Sequence, residues 1–261
     1  MFMSDNFLPG LDDVAPSSFQ YERVPDALFP SDNDFGIPLL NVHKQAEYIV
    51  LPMTRWGSVK RTITMEGTWH FYSEDYRFSG LWKNPNALVE TGCVGIVEPN
   101  YSCYEQMPLA VGLYRIYQKR WLACYWQSKG INVIVDLNVS SVYKKVNLLG
   151  VPKGWNAFAT RGYSDRVPEI NDEYDLACEH SGRKDILFFV YGGGKAVLQE
   201  CQKHGYIWLP EESDVARGRY EHNGFIPEEL KARLTFQSND IVWQKQKDLP
   251  AVKTTEYVNV A

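Results

Sequence analysis

Val94–Leu137 reads VGIVEPNYSCYEQMPLAVGLYRIYQKRWLACYWQSKGINVIVDL, and its reading decides the fold. Val94–Val97 is a short apolar, β-rich run of the kind found in buried strands. Pro108 fits the first turn of a helix, where its missing N–H costs nothing. Beyond it Ala110, Leu113, Tyr114, Tyr117, Trp121 and Cys124 recur at helical spacing and predict one apolar face. Arg115 and Lys119 are four apart and share a different face. Lys129 then Gly130 gives a basic last turn and a stop. Ile131–Leu137 is the next strand. The stretch is one β–α–β unit.

The same pattern extends outward. Trp155–Thr160 is an expected strand, Ile170–His180 a helix, and Asp185–Tyr191 a strongly buried strand. Gly192-Gly193-Gly194 then turns into a helix over Lys195–His204, and Tyr206–Leu209 is a last strand. Strands alternating with helices predict an α/β domain with a largely parallel sheet and right-handed crossovers, either open or closed into a partial or complete barrel. Upstream, Ile49–Met53 is an expected strand, and Thr62–Met65 with Trp69–Tyr72 an expected pair around Glu66-Gly67. Asp75–Trp82 is an expected short helix ending before Asn84-Pro85. This core spans residues 41–213. Residues 1–40 precede it as a Pro-rich arm with seven acids against Arg23 alone, a net charge of −6. Residues 214–261 form a polar extension, with a short helix near Pro227–Leu234.

Composition bounds the function. With 261 residues and 44% hydrophobic content, the chain can bury a sizeable core. The net charge of −5 argues against a protein coated by nucleic acid over its whole surface. Residues 107–166 nevertheless hold nine bases against Asp136 and Asp165, a local excess of +7. Five cysteines without a CxxC pair argue against a disulfide framework or zinc ribbon. Met1–Pro9 lacks a basic start and apolar run, and no stretch of about 20 apolar residues occurs, so neither a signal peptide nor a membrane span is expected. The simplest expectation is a cytoplasmic protein.

In parallel sheets and barrels, ligands sit beyond the carboxyl ends of the strands. Those ends carry Glu98, Asn100, Tyr101 and Ser102, then Asp136 and Asn138, then Arg161, then Tyr191 with the glycines. Glu98 and Asp136 end consecutive strands, so they form a candidate catalytic pair or a carboxylate site for a divalent metal. Equally, polar residues end strands simply because loops are wet. Gly192, Gly193 and Gly194 before a helix suit an anion, or make a plain tight turn. They are not a Walker loop, since Phe189 stands where its first Gly belongs and Ala196 follows Lys195. Arg115, Lys119, Arg120, Lys144 and Lys145 are candidate phosphate contacts with Tyr101 as a stacking ring, or else a solvated face. No HExxH or GxSxG occurs, and His70 reads first as a core histidine.

An ordered series carries a resemblance. It runs His70-Phe71-Tyr72 with Asp75, Phe78, Trp82 and Asn84-Pro85; Pro99-Asn100-Tyr101-Ser102 with Tyr104 and Met107-Pro108; Arg120-Trp121; and Tyr125-Trp126-Gln127 with Gly130-Ile131. It continues through Ser141, Tyr143, Gly150-Val151-Pro152, Thr160, Gly162 and Tyr191-Gly192. Over roughly residues 60–200 the chain resembles the phage- and plasmid-encoded family known as domain of unknown function 4417. The resemblance implies a mobile-element origin and no particular reaction. Asn100-Tyr101 stands where the family turn has Asp-Phe, Arg115 where it has Asn, and Gln118 where it has Arg. Asp136 replaces the Thr of an Ile-Pro-Thr, and Val139 a Trp. Losing the carboxylate at Asn100 would remove a metal ligand or base, for which Asp136 is the nearby substitute.

Three functions fit these residues. The first is handling of nucleic acid or nucleotides, by phosphate or single-strand binding, in replication or host takeover. The second is an enzyme on a small anionic or sugar-like substrate, using Glu98, Asp136 and the glycine turn. The third is an interaction protein docking through residues 1–40.

Overall fold

The computed structural model describes residues 29–57, 63–64, 66–236 and 242–243. In chain order the strands are β1 Ile49–Leu51, β2 Met53–Arg55, β3 Ile63–Thr64, β4 Thr68–His70, β5 Gly95–Val97, β6 Asn132–Asp136, β7 Ala157–Arg161, β8 Leu187–Tyr191, β9 Ile207–Leu209, β10 Leu234–Phe236 and β11 Val242–Trp243. The helices are α1 Asn86–Val89, α2 Leu109–Ser128, α3 Val167–Ser181, α4 Gly194–His204 and α5 Glu212–Ala216.

Seven strands form one parallel sheet in the order β2-β4-β5-β6-β7-β8-β9. Spatial order follows chain order, so every crossover steps the same way and the sheet curls into a nearly closed barrel. Between the open and closed alternatives, the structure takes the nearly closed one.

Period-two alternation divides each strand between two cores. Ile96, Val133, Val135, Phe158, Phe188, Val190 and Trp208 face outward and pack with Trp121, Leu122, Ile170, Ala177, Val197 and Cys201 of the helices. Val97, Ile134, Ala157, Ala159, Leu187, Phe189, Ile207 and Leu209 face inward. Ile49 and Leu51 of β1 fill that interior, with Ile226, Leu230 and Leu234 against them. The Thr68 hydroxyl, at the start of β4, donates to the Val50 carbonyl. This plug therefore lies at the N-terminal ends of the strands, and the C-terminal ends form the mouth.

Several expected elements differ. Ile49–Met53 is not one strand. Pro52 follows a cis peptide bond and divides β1, which pairs with β10, from β2. β3 does not pair with β4 around Glu66-Gly67 but pairs antiparallel with β11. Asp75–Trp82 forms two 3₁₀ turns, Asp75–Arg77 and Ser79–Trp82. The helix expected near Pro227–Leu234 is a 3₁₀ turn over Glu228–Arg233. α2 has no single apolar face: Ala110 is exposed, while Gln118 through Gln127 is buried on every side. Its second half runs through the outer core, covered by Phe29, Trp82 and the sheet.

Gly112 admits α2 to this position. Its α-carbon faces the buried Tyr143 ring, and a β-carbon there would lie 2.1 Å from Tyr143 Cε1. The Tyr143 hydroxyl donates to the Met107 carbonyl, which fixes the ring. Alanine at position 112 therefore loses more by overpacking than the roughly 1 kcal/mol it gains in helix propensity. Gly112→Ala is expected to destabilise the fold by about 1–2 kcal/mol net in urea unfolding.

Candidate functional site

Two buried ion pairs hold α2 against the mouth. Lys119 Nζ lies 3.2 Å from Asp136 Oδ2 and 3.0 Å from the Asp136 carbonyl. Arg120 Nη1 donates to Glu98 Oε1, Nη2 donates to the Asn147 carbonyl at 2.7 Å, and Nε to the Leu149 carbonyl at 3.1 Å. Glu98 Oε2 in turn accepts from the Asp136 amide at 3.2 Å. All four side chains are at most 2% exposed.

The candidate pair Glu98 and Asp136 is thus brought together, but each carboxylate is engaged by its own buried cation. Among the described residues no group of three or more His, Cys, Asp or Glu is placed to hold a metal. Lys119 and Arg120 lie in the interior rather than on a phosphate-facing surface. Sequence could not reveal this, because their countercharges arrive from other strands. Burial raises the Asp136 carboxyl, an effect that Lys119 opposes. The Tyr72 hydroxyl donates to Asp136 Oδ1 at 3.1 Å, and burial first and that carboxylate second push its phenol well up.

The signature turn is held structurally. Asp75 accepts from the Ser102 amide at 3.2 Å and its hydroxyl at 2.9 Å. Asn100 Oδ1 accepts from Asn138 Nδ2 at 3.2 Å. Tyr101 is buried, edge-on to Phe78, with the Arg115 guanidinium 5.5 Å from its ring centre. Arg115 also donates to Gln118 at 3.0 Å, so two residues that depart from the family pattern meet each other. Lys145 is exposed, and Lys144 Nζ lies 3.9 Å from Glu173 Oε1. Gly192, Gly193 and Gly194 all adopt positive φ, and the Gly192 amide is spent on the Leu209 carbonyl.

The mouth joins Arg161 and Tyr191, which the strand-end rule names, to Arg55 and His70, which it leaves aside. Arg55 and His70 are register partners on β2 and β4, as are Arg161 and Tyr191 on β7 and β8, so each pair points the same way. The His70 and Tyr191 rings lie 4.2 Å apart, which closes an arc Arg55–His70–Tyr191–Arg161. Burial chiefly, then the positive charges of Arg55 and Arg161, lower the His70 pKa to about 3. The imidazole is therefore neutral. Its Nδ1 accepts from the Tyr72 amide at 3.4 Å, which leaves the proton on Nε2. Among the described residues, His70 Nε2, Arg55 Nε and Arg161 Nε are buried donors with no hydrogen-bond partner. Such donors in one arc fit an acceptor-rich ligand. The available signal was His70 and Arg55 at the ends of short strands, obscured because β2 is only three residues long.

A carboxyl in the wall next to the mouth titrates unusually. Glu173 on α3 is buried, accepts from the Thr160 hydroxyl and has its pKa raised to about 8, burial being the main cause. The contact with partly exposed Lys144 at 3.9 Å is too distant to offset that desolvation.

The arrangement defines a class: a singly wound, nearly closed α/β barrel with a polar, donor-lined mouth. The chain belongs to the family described as Domain of unknown function (DUF4417), which matches residues 29–166, more than half its length. That match includes Arg55, His70, Tyr72, Asp136 and Arg161. The Gene 1 protein of Mycobacterium phage L5 is 41% identical over 111 residues, covering 41% of this chain and 47% of that protein. The Gene 1 protein of Mycobacterium phage D29 is 32% identical over 111 residues, covering 41% of this chain and 40% of that protein. This chain therefore spans less than half the length of either relative. No solved structure matches. Among the described residues no helix is long and apolar enough to cross a membrane.

Two measurements check these environments. Arg120→Met strands Glu98 as a buried unpaired charge and is expected to cost about 3–5 kcal/mol in urea unfolding. The double variant Arg120→Met/Glu98→Leu is expected to recover part of that loss. For Glu173 the folded pKa of about 8 exceeds the ordinary 4.5. Its contribution is complete below the ordinary value and is lost as pH rises through about 8. Glu173→Gln is therefore expected to flatten the decline of Tm across that window.

Proposed function

We propose that the chain is an enzyme acting on a small anionic substrate at the barrel mouth. The observation that carries this reading is the arc of Arg55, His70 and Arg161, whose three buried N–H donors have no acceptor among the described residues. Arg55 and Arg161 are 33% and 31% exposed, so a ligand arriving from solvent can reach their heads. Neutral His70 supplies a hydrogen-bond donor without adding charge, the form suited to polarising a substrate oxygen on which charge develops. Behind it the Tyr72–Asp136–Lys119 chain holds a proton between a phenol and a buried carboxylate. Substrate at the C-terminal ends of the strands is the general rule of barrel enzymes. The family and its phage relatives favour a role in a phage or mobile-element setting.

The reading that the chain handles nucleic acid draws on the basic band of residues 107–166. Burial of Lys119 and Arg120 weighs against a single strand laid along that band. A nucleotide still meets the requirement of the mouth, since its phosphates are small anions. Thermal unfolding in the presence of inorganic phosphate, sulfate, pyrophosphate, a dicarboxylate and a single-stranded oligonucleotide separates these cases. At least one small anion is expected to raise Tm, by about 2.7 kcal/mol of added stability at a hundred times its Kd. The effect should vanish in Arg55→Met/Arg161→Met. Failure of every small anion to stabilise the protein would falsify this reading. A steep salt-dependent response to the oligonucleotide alone would restore the nucleic-acid one.

A further inference from the structure

The two arginines of the mouth are not bare. Glu212 Oε2 lies 3.3 Å from Arg55 Nη2, and Glu211 Oε1 lies 3.6 Å from Arg161 Nη2. Glu212 Oε1 also accepts from the Arg55 backbone amide at 2.9 Å. Glu211 rests over Gly192, where a β-carbon would stand 3.0 Å from its Oε1; only glycine, at positive φ, makes that room. Both carboxylates come from the segment after β9, outside the stretch that matches the family.

These pairs differ in kind from those beneath them. Glu211 and Glu212 are 38% and 29% exposed, whereas Glu98 and Asp136 are wholly buried. A buried pair cannot part without stranding a charge. A partly exposed pair contributes little, and its carboxylate can return to water. The outer pairs are therefore exchangeable and the inner ones are not.

Charge balance then selects the incoming ligand. Two monovalent carboxylates compensate two guanidinium groups. A monoanion that displaced both would leave one arginine uncompensated, whereas a dianion would not. The donors left over, Arg55 Nε–H, Arg161 Nε–H and His70 Nε2–H, number three. A phosphoryl group presents three terminal oxygens, each a strong acceptor. We infer that Glu211 and Glu212 stand in for the charges of a dianionic phosphoryl group, and that a phosphate monoester binds the mouth by exchanging with them at Arg161 and Arg55. This rests on the reading of the mouth as an anion site.

Calorimetric titration of the full chain with inorganic phosphate and with dimethyl phosphate, above pH 7.5, tests it. The first is then mainly a dianion, and the second a diester monoanion with two terminal oxygens. Phosphate is expected to bind about tenfold more tightly or better, a difference of about 1.4 kcal/mol. Glu211→Gln/Glu212→Gln is expected to bind phosphate about tenfold more tightly than the native chain, because amides do not compensate the arginines. It should also discriminate less between the two probes. Glutamine at position 212 retains an acceptor for the Arg55 amide. Should the double variant still fail to fold, Glu211→Gln alone carries the comparison. On adding phosphate to the native chain, amides of residues 211–216 should lose protection from hydrogen exchange. Equal affinity for both probes, no gain in the glutamine variant, or increased protection of that segment would overturn the exchange. If Arg55→Met/Arg161→Met then still abolishes binding, the anion site itself stands. No binding of either probe to any form overturns both.

Discussion

The ion pairs between α2 and the ends of β5 and β6 are the interaction on which the rest of the structure depends. Lys119 and Arg120 are adjacent in the half of α2 that is buried around its whole circumference, and each needs a carboxylate within reach. Asp136 and Glu98 supply them, and the Glu98–Asp136 amide contact ties the two pairs together. Arg120 further donates to the carbonyls of residues 147 and 149, which fixes the β6–β7 connection. Helix, strand ends and loop are therefore placed by one polar network. A network of this kind adds little net stability over an apolar core of the same shape. What it does is penalise every alternative seating of α2, because any shift strands a charge.

That network also governs what the mouth can do. It consumes the carboxylates that would otherwise be the natural metal ligands or bases at the ends of β5 and β6. The unpartnered groups left at the mouth are then cationic or neutral donors: the partly exposed Arg55 and Arg161 and the buried His70. The division between inner pairs that cannot open and outer pairs that can follows from depth alone.

Much of the fold was legible in the chain. The β–α–β unit from Val94 to Leu137 and the runs around residues 157–161 and 187–191 announce themselves through continuous apolar stretches and glycine stops. β2 and β4 do not, because three-residue strands carry too little periodicity, and neither pairing partner is near in sequence. α2 misled in a specific way. Its rings recur at helical spacing, but the charged residues between them suggested a wet face, and only the tertiary structure shows that face buried against Glu98 and Asp136. The strand-end rule points to Asp136, Arg161 and Tyr191, and the fold puts all three at the C-terminal ends of their strands. Arg55 and His70 are not singled out by that rule, because sequence alone does not place their short strands at the mouth.

The last consequence belongs to Glu212. The sheet stops short of closing; β9 is bridged at Trp208 by Phe225, whereas β2 is an edge, and an edge strand offers free backbone groups to any strand that approaches. The Arg55 amide sits on that edge and is occupied by the Glu212 carboxylate. A side-chain oxygen satisfies the amide without presenting a backbone that could carry the ladder onward. Glu212 therefore serves two places at once: one of its oxygens lies against the Arg55 guanidinium at the mouth, and the other caps a backbone donor at the seam.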